Sequence, residues 1–450
     1  MSPARTVCLA AALALSFTAR ANPYEFRLSN GLRLIVKEDH RAPTVVQQVW
    51  YRAGSMDESP GVTGVAHVLE HMMFKGTRRL GPGEFSRLIA EAGGRENAFT
   101  NTDYTVYHEQ VHRDRLPLAM RLEADRMADL VVRADQFRQE IKVVMEERRL
   151  NYEDRPRSLL EENLMATAFA AHPYKWPVIG WMQDLENMTW RDALAWYRRW
   201  YAPNNAVVVI VGDVEPKQVL AWARRYYGGL AAGTLPERKP LGEPVQRGLK
   251  RVTVKAPAEL PYVRLGYKVP VLRDPENDWE PFALALLREV LGGNDAARLN
   301  QALVRERRLA TSTGADYDLI ARGPGMLFLH AAAAQGKSAA ELEAGMREVL
   351  ARVASEGVSA EELARGKTAR VAQQVYRRDS MFAQALEIGE LESGGLSFRD
   401  ADRILEKLKA VTAEQIRAVA AKYLVEDVLT AAVLDPQPLG TRAPPAATGH

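Results

Sequence analysis

Three residues stand at a spacing that could hold a metal ion and move a proton. They are His67, Glu70 and His71, within Gly64-Val65-Ala66-His67-Val68-Leu69-Glu70-His71-Met72. On a helix, residues four apart lie about 40° apart around the axis, so the two imidazoles point the same way. Glu70 falls about 60° to the other side of His67, which puts all three polar side chains on one face. Paired imidazoles are a ready set of zinc ligands, and a carboxylate beside them can take a proton from a water that the metal activates. The order His-x-x-Glu-His reverses the commoner His-Glu-x-x-His. Such a pattern arises by chance in roughly one chain in a hundred, so its surroundings must decide.

A catalytic zinc needs three protein ligands and one open position. His40, His108, His112, His172, His330 and His450 offer no partner at a useful spacing. His108 and His112 are four apart, but in a strand-like stretch, where that spacing does not align them. Carboxylates are the better source, and residues 135–151 carry Glu140, Glu146 and Glu147. Glu140 and Glu147, seven apart, lie within about 20° of one helix face, whereas Glu146 points about 100° away from Glu147. Spacing favours Glu140 and Glu147 as a unit. It leaves open which one binds metal, and it leaves open a solvated acidic face.

Several elements must position these residues. Val65, Val68, Leu69 and Met72 give the motif helix an apolar side to bury, and Gly76 supplies a stop. Residues 26–36 alternate about Asn30-Gly31, which predicts a hairpin with a type I′ turn. Strands are expected at 45–51, 97–100, 104–109 and 206–211, and helices at 82–92, 115–130, 135–151, 157–170, 191–201 and 216–227. Residues 231–249 hold several glycines and prolines without an apolar period and read as a linker. Beyond it the order repeats, with strands at 250–255, 263–269, 326–334 and 428–433. Helices are expected at 279–291, 298–307, 339–355, 360–377 and 412–423. The reading is an α+β chain of two similar halves, 22–230 and 250–436, with a disordered tail at 437–450.

Composition narrows the compartment and the partners. At 450 residues the chain exceeds one ordinary core, and 47% hydrophobic with 26% charged residues describes a globular protein. A net charge of +3 without basic blocks gives nucleic-acid binding no support. Residues 1–21 read as a signal peptide: Arg5, an apolar run over 6–18, then Ala19-Arg20-Ala21 before Asn22. The run is too short to span a bilayer, which needs about 20 residues, so no stable membrane anchor is expected. Cys8 is the one cysteine and would leave with that peptide, so the mature chain has no disulfide chemistry. An exported protein, in a bacterial periplasm, is the expectation.

With these motifs in place, the chain resembles the pitrilysin/insulinase family of inverzincin zinc peptidases, which includes the mitochondrial processing peptidase. The resemblance covers nearly all of the mature sequence. It rests on His67-x-x-Glu70-His71 with Phe74-Lys75-Gly76-Thr77, Gly93-Gly94, Asn97-Ala98-Phe99-Thr100 and Glu140-x-x-Val143-x-x-x-Glu147. It also rests on His172-Pro173-Tyr174, Tyr201-x-Pro203-x-Asn205 and Val211-Gly212-Asp213. In the family the third zinc ligand stands 76 residues after the second motif histidine, which is Glu147 here, and Glu140 matches a supporting glutamate. The resemblance implies Zn²⁺ on His67, His71 and Glu147, with Glu70 as the base. It implies a substrate peptide added as a strand along Asn97, Ala98, Phe99 and Thr100. It further implies a second half of like fold without a metal site, closing over the first as a clamshell.

One position departs from the family. Active single-chain relatives carry an arginine and, seven residues later, a tyrosine in the second half, which hold the substrate near the zinc. Arg305 matches the arginine, but the tyrosine position falls at Thr311 or Ser312, and the next tyrosine is Tyr317. Some bacterial relatives divide the zinc site and the Arg/Tyr pair between two subunits. The expected enzyme is therefore a zinc metalloendopeptidase acting on peptide or protein substrates with a homologous partner, a heterodimer, or as a homodimer. A non-catalytic structural or peptide-binding subunit of the same fold is the alternative; such relatives usually lose the motif, and all four key residues stand here.

Overall fold

The computed structural model describes residues 22–439. The expected signal peptide and the 440–450 stretch of the expected tail lie outside the described residues. The first half builds β1 (Tyr24–Arg27), β2 (Arg33–Glu38), β3 (Thr44–Tyr51), β4 (Arg95–Thr100), β5 (Thr105–His112) and β6 (Ala206–Gly212). They form one sheet in the order β1-β2-β6-β3-β5-β4, with β2 and β6 parallel and the other neighbours antiparallel. Its helices are α1 (Val65–Met72), α2 (Glu84–Glu91), α3 (Leu116–Asp129) and α4 (Ala134–Arg148). They continue with α5 (Pro156–Ala168), α6 (Met182–Asn187), α7 (Trp190–Trp200) and α8 (Pro216–Tyr226).

The second half builds β7 (Lys250–Pro257), β8 (Tyr262–Val269), β9 (Ala310–Tyr317), β10 (Gly325–Ala333) and β11 (Leu429–Gln437), ordered β7-β11-β8-β10-β9. Without β1, the first sheet has this same order, again with one parallel pair, β7 against β11. The helices here are α9 (Glu280–Gly292), α10 (Ala339–Glu356), α11 (Ala360–Asp379), α12 (Met381–Gly394), α13 (Ala401–Ala410) and α14 (Ala413–Tyr423). The chain is thus an α+β clamshell of two halves built alike.

Each sheet is covered on one face by its own helices. On the other face lies a helix borrowed from the opposite half. Ala385 and Ile388 of α12 pack on Ile35, Val46, Trp50, Val209 and Val211 of the first sheet. Leu160 and Leu164 of α5 pack on Val254, Ala256, Tyr262, Ala432 and Leu434 of the second. Gly389 permits the first contact, since a Cβ there would stand 1.9 Å from Trp50 Cε2. Between the halves, 231–249 forms neither helix nor strand, and its Glu243 carboxylate accepts from the N–H groups of Ala170, Ala171 and His172 and from Lys268.

Three details correct the sequence expectations. The Asn30-Gly31 hairpin forms, but only Gly31 takes a positive φ (+89°), and the Gly31 N–H bonds Leu28 O at 3.0 Å. The loop is therefore a five-residue connection, and Asn30 is drawn aside to donate to Tyr227 O and Leu230 O. The helix expected at 298–307 winds more loosely over Asn300–Glu306, with the Arg307 N–H reaching Ala302 O five residues back. The last strand runs to Gln437, so the first residue assigned to the tail pairs with Pro257 in the sheet.

Candidate metal centre

Helix α1 carries the motif and is anchored at its start. Val65, Ala66, Val68, Leu69 and Met72 are buried in the first core, which leaves the polar face aimed at α4. Gly64 caps the helix at φ +87°, and Glu58 accepts from the N–H groups of Gly64 (2.8 Å) and Ala66 (2.9 Å). A carboxylate on these otherwise unpaired donors suits the positive end of the helix dipole. Behind the sheet-facing side, Arg126 is fully buried against Glu109 and Glu123, its guanidinium stacked on the Phe74, Phe85 and Tyr107 rings.

His67, His71 and Glu147 converge. Their ligand atoms all lie within 4.8 Å of one another, a grouping that no other histidine among the described residues joins. Glu147 Oε2 stands 3.8 Å from His67 Nε2 and 3.5 Å from His71 Nε2. A tetrahedral zinc with ligand bonds of 2.0–2.1 Å sets its ligands about 3.4 Å apart. These groups therefore keep the separation of a coordination shell rather than closing to ordinary hydrogen bonds. The residues fit zinc.

The surrounding groups assign the remaining roles. Glu140 Oε1 meets His71 Nδ1 at 3.0 Å, and Glu140 Oε2 takes a bond from Lys75 Nζ at 2.6 Å. A carboxylate so placed would serve as an outer-sphere partner, fixing the imidazole with Nε2 turned toward Glu147. Glu146 turns outward to Arg149 at 3.0 Å. Glu70 is not in the ligand grouping; Thr100 Oγ1 donates to its Oε2 at 2.5 Å. Burial raises the Glu70 pKa above its ordinary value, against the pull of the Thr100 bond. Burial and the neighbouring His71 depress His67 to about 4. Burial also opposes charge on His71, but its bonds to Glu140 and Glu147 prevail and push it up to about 9.

Thr100 ends β4, the open edge of the first sheet, which pairs only with β5. Asn97 on that strand is exposed, with Oδ1 accepting from the Ala98 N–H, while Phe99 turns toward Trp50 and Tyr104. Arg305, in the second half, is exposed on the 300–306 turn and forms no hydrogen bond or ion pair. Tyr317 is not a substitute either, since its phenol donates to Pro270 O at 2.7 Å. Sequence reasoning missed Lys75, Glu58 and the Thr100 bond to Glu70. Lys75 alone left a signal, four residues after His71 on the continuing turn.

Residues 33–180 match the model of insulinase, peptidase family M16, and residues 187–370 match that of the peptidase M16 inactive domain. An uncharacterized zinc protease of Mycobacterium leprae, ML0855, is 31% identical over 91% of this chain and 91% of its own length. The chain belongs to peptidase family M16. The zinc protease PqqE of Helicobacter pylori is 34% identical over 63% of this chain, an alignment that spans 64% of that relative. A protease structure from Helicobacter pylori, 27% identical, superposes with a TM-score of 0.87 over 92% of this chain and 100% of its own. Relatives of this M16 chain are thus named as zinc proteases, and the fold is theirs. No helix among the described residues is long and apolar enough to cross a membrane.

Proposed function

We propose that the chain is an exported zinc metalloendopeptidase that cleaves extended or unfolded polypeptides, and that it is the zinc-bearing subunit of a two-subunit peptidase. The observation that carries this reading is the convergence of His67, His71 and Glu147 with Glu70 beside them. A zinc ion bound there polarises a peptide carbonyl and makes water acidic enough to attack near neutral pH. Glu70 accepts the proton of the attacking water and hands it to the leaving amine. Its burial favours the protonated carboxyl once the proton arrives, and Thr100 keeps one oxygen aimed. Glu140 and Lys75 hold the His71 ring.

Asn97, Ala98, Phe99 and Thr100 lie on an open sheet edge, where a peptide can add as a further strand. Thr100 links that edge directly to the base. The exposed, unpaired Arg305 and the absence of tyrosine at 311 and 312 support a substrate clamp supplied by a homologous chain, whereas a second copy of this one would bring only the arginine. The test is cleavage of denatured casein by the zinc-loaded chain, alone and mixed with a homologue carrying the Arg/Tyr pair. Weak activity that rises on mixing is expected, and Glu70→Gln should bind zinc while losing about 10²–10⁴ in rate. Wild-type rates in Glu70→Gln would overturn the role given to Glu70, whereas a wild-type chain that binds zinc and cleaves nothing in either setting would leave the non-catalytic reading.

A further inference from the structure

Glu147 stands one residue from the end of α4, where the chain leaves the first half. Residues 149–153 make a wide turn, closed by the Asp154 N–H on Arg149 O at 2.8 Å, and α5 then crosses to the second sheet. The carboxylate itself is weakly held. Its side chain is 37% exposed, and apart from the histidines its contact is Asn151 Nδ2 at 3.5 Å. Its position must come from the backbone that presents it.

The next residue supplies that control. The Arg148 side chain is 6% exposed and pairs with both Glu162 oxygens on α5, Nη1 at 2.8 Å and Nη2 at 3.1 Å. Nη1 also donates to Gly180 O at 2.8 Å. Gly180 (φ +86°) lies directly across Gly64, and a Cβ on either would stand 2.3–2.4 Å from the other segment's carbonyl oxygens. The contact is sealed by Thr63, whose Oγ1 donates to Asp184 and accepts from the Trp181 N–H. Gly64 is the cap of α1, three residues before His67. One guanidinium therefore joins the residue beside the third ligand, the cap of the helix bearing the other two, and the helix that covers the second sheet.

We propose that Arg148 is the positioning residue of the metal centre, holding Glu147 at coordination distance from His67 and His71. Through Glu162 it makes that distance depend on how α5 sits on the second half. The inference rests on the zinc reading of the site. Chelator competition on the full chain measures it, comparing wild type with Arg148→Met, Arg148→Lys and Glu162→Gln. Arg251→Met serves as the control, because it breaks a bidentate pair with Glu343 of α10 (2.7 and 2.7 Å) on the face of the second sheet opposite α5. Melting of each zinc-free variant reports stability separately.

Arg148→Met should bind zinc about 10–100-fold more weakly, the usual cost of removing an outer-sphere partner. Glu162→Gln should lose affinity in the same direction by less, and Arg148→Lys should fall between, since an ammonium cannot reproduce the fork. Arg251→Met should lower the melting temperature and leave zinc affinity unchanged. Should Arg148→Met not fold, the other two variants carry the same test. Zinc affinity within twofold of wild type in Glu162→Gln and the Arg148 variants would overturn the proposal, as would an equal loss in Arg251→Met. A wild-type chain that binds no zinc would instead overturn the reading of the site itself.

Discussion

Removing Glu140 should weaken zinc binding by an amount that depends on pH, and the dependence follows from two opposed effects. Both carboxylate oxygens are engaged, one on His71 Nδ1 at 3.0 Å and one on Lys75 Nζ at 2.6 Å. Glu140→Ala frees the His71 ring to rotate, and loss of such a partner costs about 10–100-fold in affinity, or about 1.4–2.7 kcal/mol. The same carboxylate also stabilises a proton on His71. Its pKa lies at about 9 against an ordinary 6.5, raised by Glu140 and then Glu147 over the opposing effect of burial. Zinc must displace that proton, which at pH 7 weakens wild-type binding by about 100-fold, because two pH units separate the solution from the pKa. Glu140→Ala relieves part of this handicap, about tenfold if Glu147 keeps an equal share. Orientation loss and proton relief nearly cancel at neutral pH. As pH rises through 9 the handicap disappears from both proteins, and the full orientation loss emerges. Chelator-buffered zinc titrations at pH 7 and pH 9.5 should therefore show a ratio near or below tenfold at the lower pH and 10–100-fold at the higher. Equal affinity at pH 9.5, or a larger loss at pH 7 than at 9.5, would refute the role given to Glu140.

Thr100→Val removes the hydrogen bond that holds the Glu70 pKa down, so the acid limb of kcat/KM should move to higher pH; an unmoved limb would break the link between edge strand and base. Gly389→Val would drive a side chain into Trp50 and lift α12 off the first sheet, costing about 1–3 kcal/mol or more. A wild-type melting temperature and near-UV dichroism in that variant would contradict the helix exchange. Glu243 is held at about 2, because Lys268 and the N–H groups of Ala170, His172 and Ala171 outweigh the opposing effect of burial. A depressed carboxyl stabilises the fold fully above its ordinary 4.5 and loses that contribution as pH falls toward 2. Glu243→Gln should cost about 1–3 kcal/mol at pH 7, with the gap from wild type closing between pH 4.5 and 2; a gap that stays constant would count against it.

The elements legible in the sequence were those with one buried face. α1 reads clearly because Val65, Val68, Leu69 and Met72 all enter one core while the chemistry occupies the other side. β6, at the centre of the sheet, reads as a strand because it is a β-branched run, and β3 beside it carries Val45, Val46, Val49, Trp50 and Tyr51. β9 did not. It is an edge strand whose Ala-Thr-Ser-Thr-Gly-Ala-Asp-Tyr sequence lacks apolar alternation, and its place is settled by pairing with β10. α12 escaped for a different reason. Ala385 and Ile388 pack toward the first sheet while Leu391 enters the second core, and Gly389 breaks the apolar pattern where Trp50 needs room. A helix buried between two cores has no single stripe for periodicity to find.

The same distinction runs through the site. His67, Glu70 and His71 are related by helical spacing, so their shared face follows from local geometry. The choice between Glu140 and Glu147 does not, because both lie on one face of α4 and differ only in where that helix meets α1. That meeting is set by the Gly64–Gly180 crossing and by the Arg148 fork, contacts between residues 14 or more apart in sequence. Glu140 falls opposite His71 Nδ1 and becomes the support, whereas Glu147, two turns on, falls opposite both Nε2 atoms. A shift of α4 by two turns would put Glu140 where Glu147 stands, so the residues that hold the register are as much a part of the metal centre as the ligands.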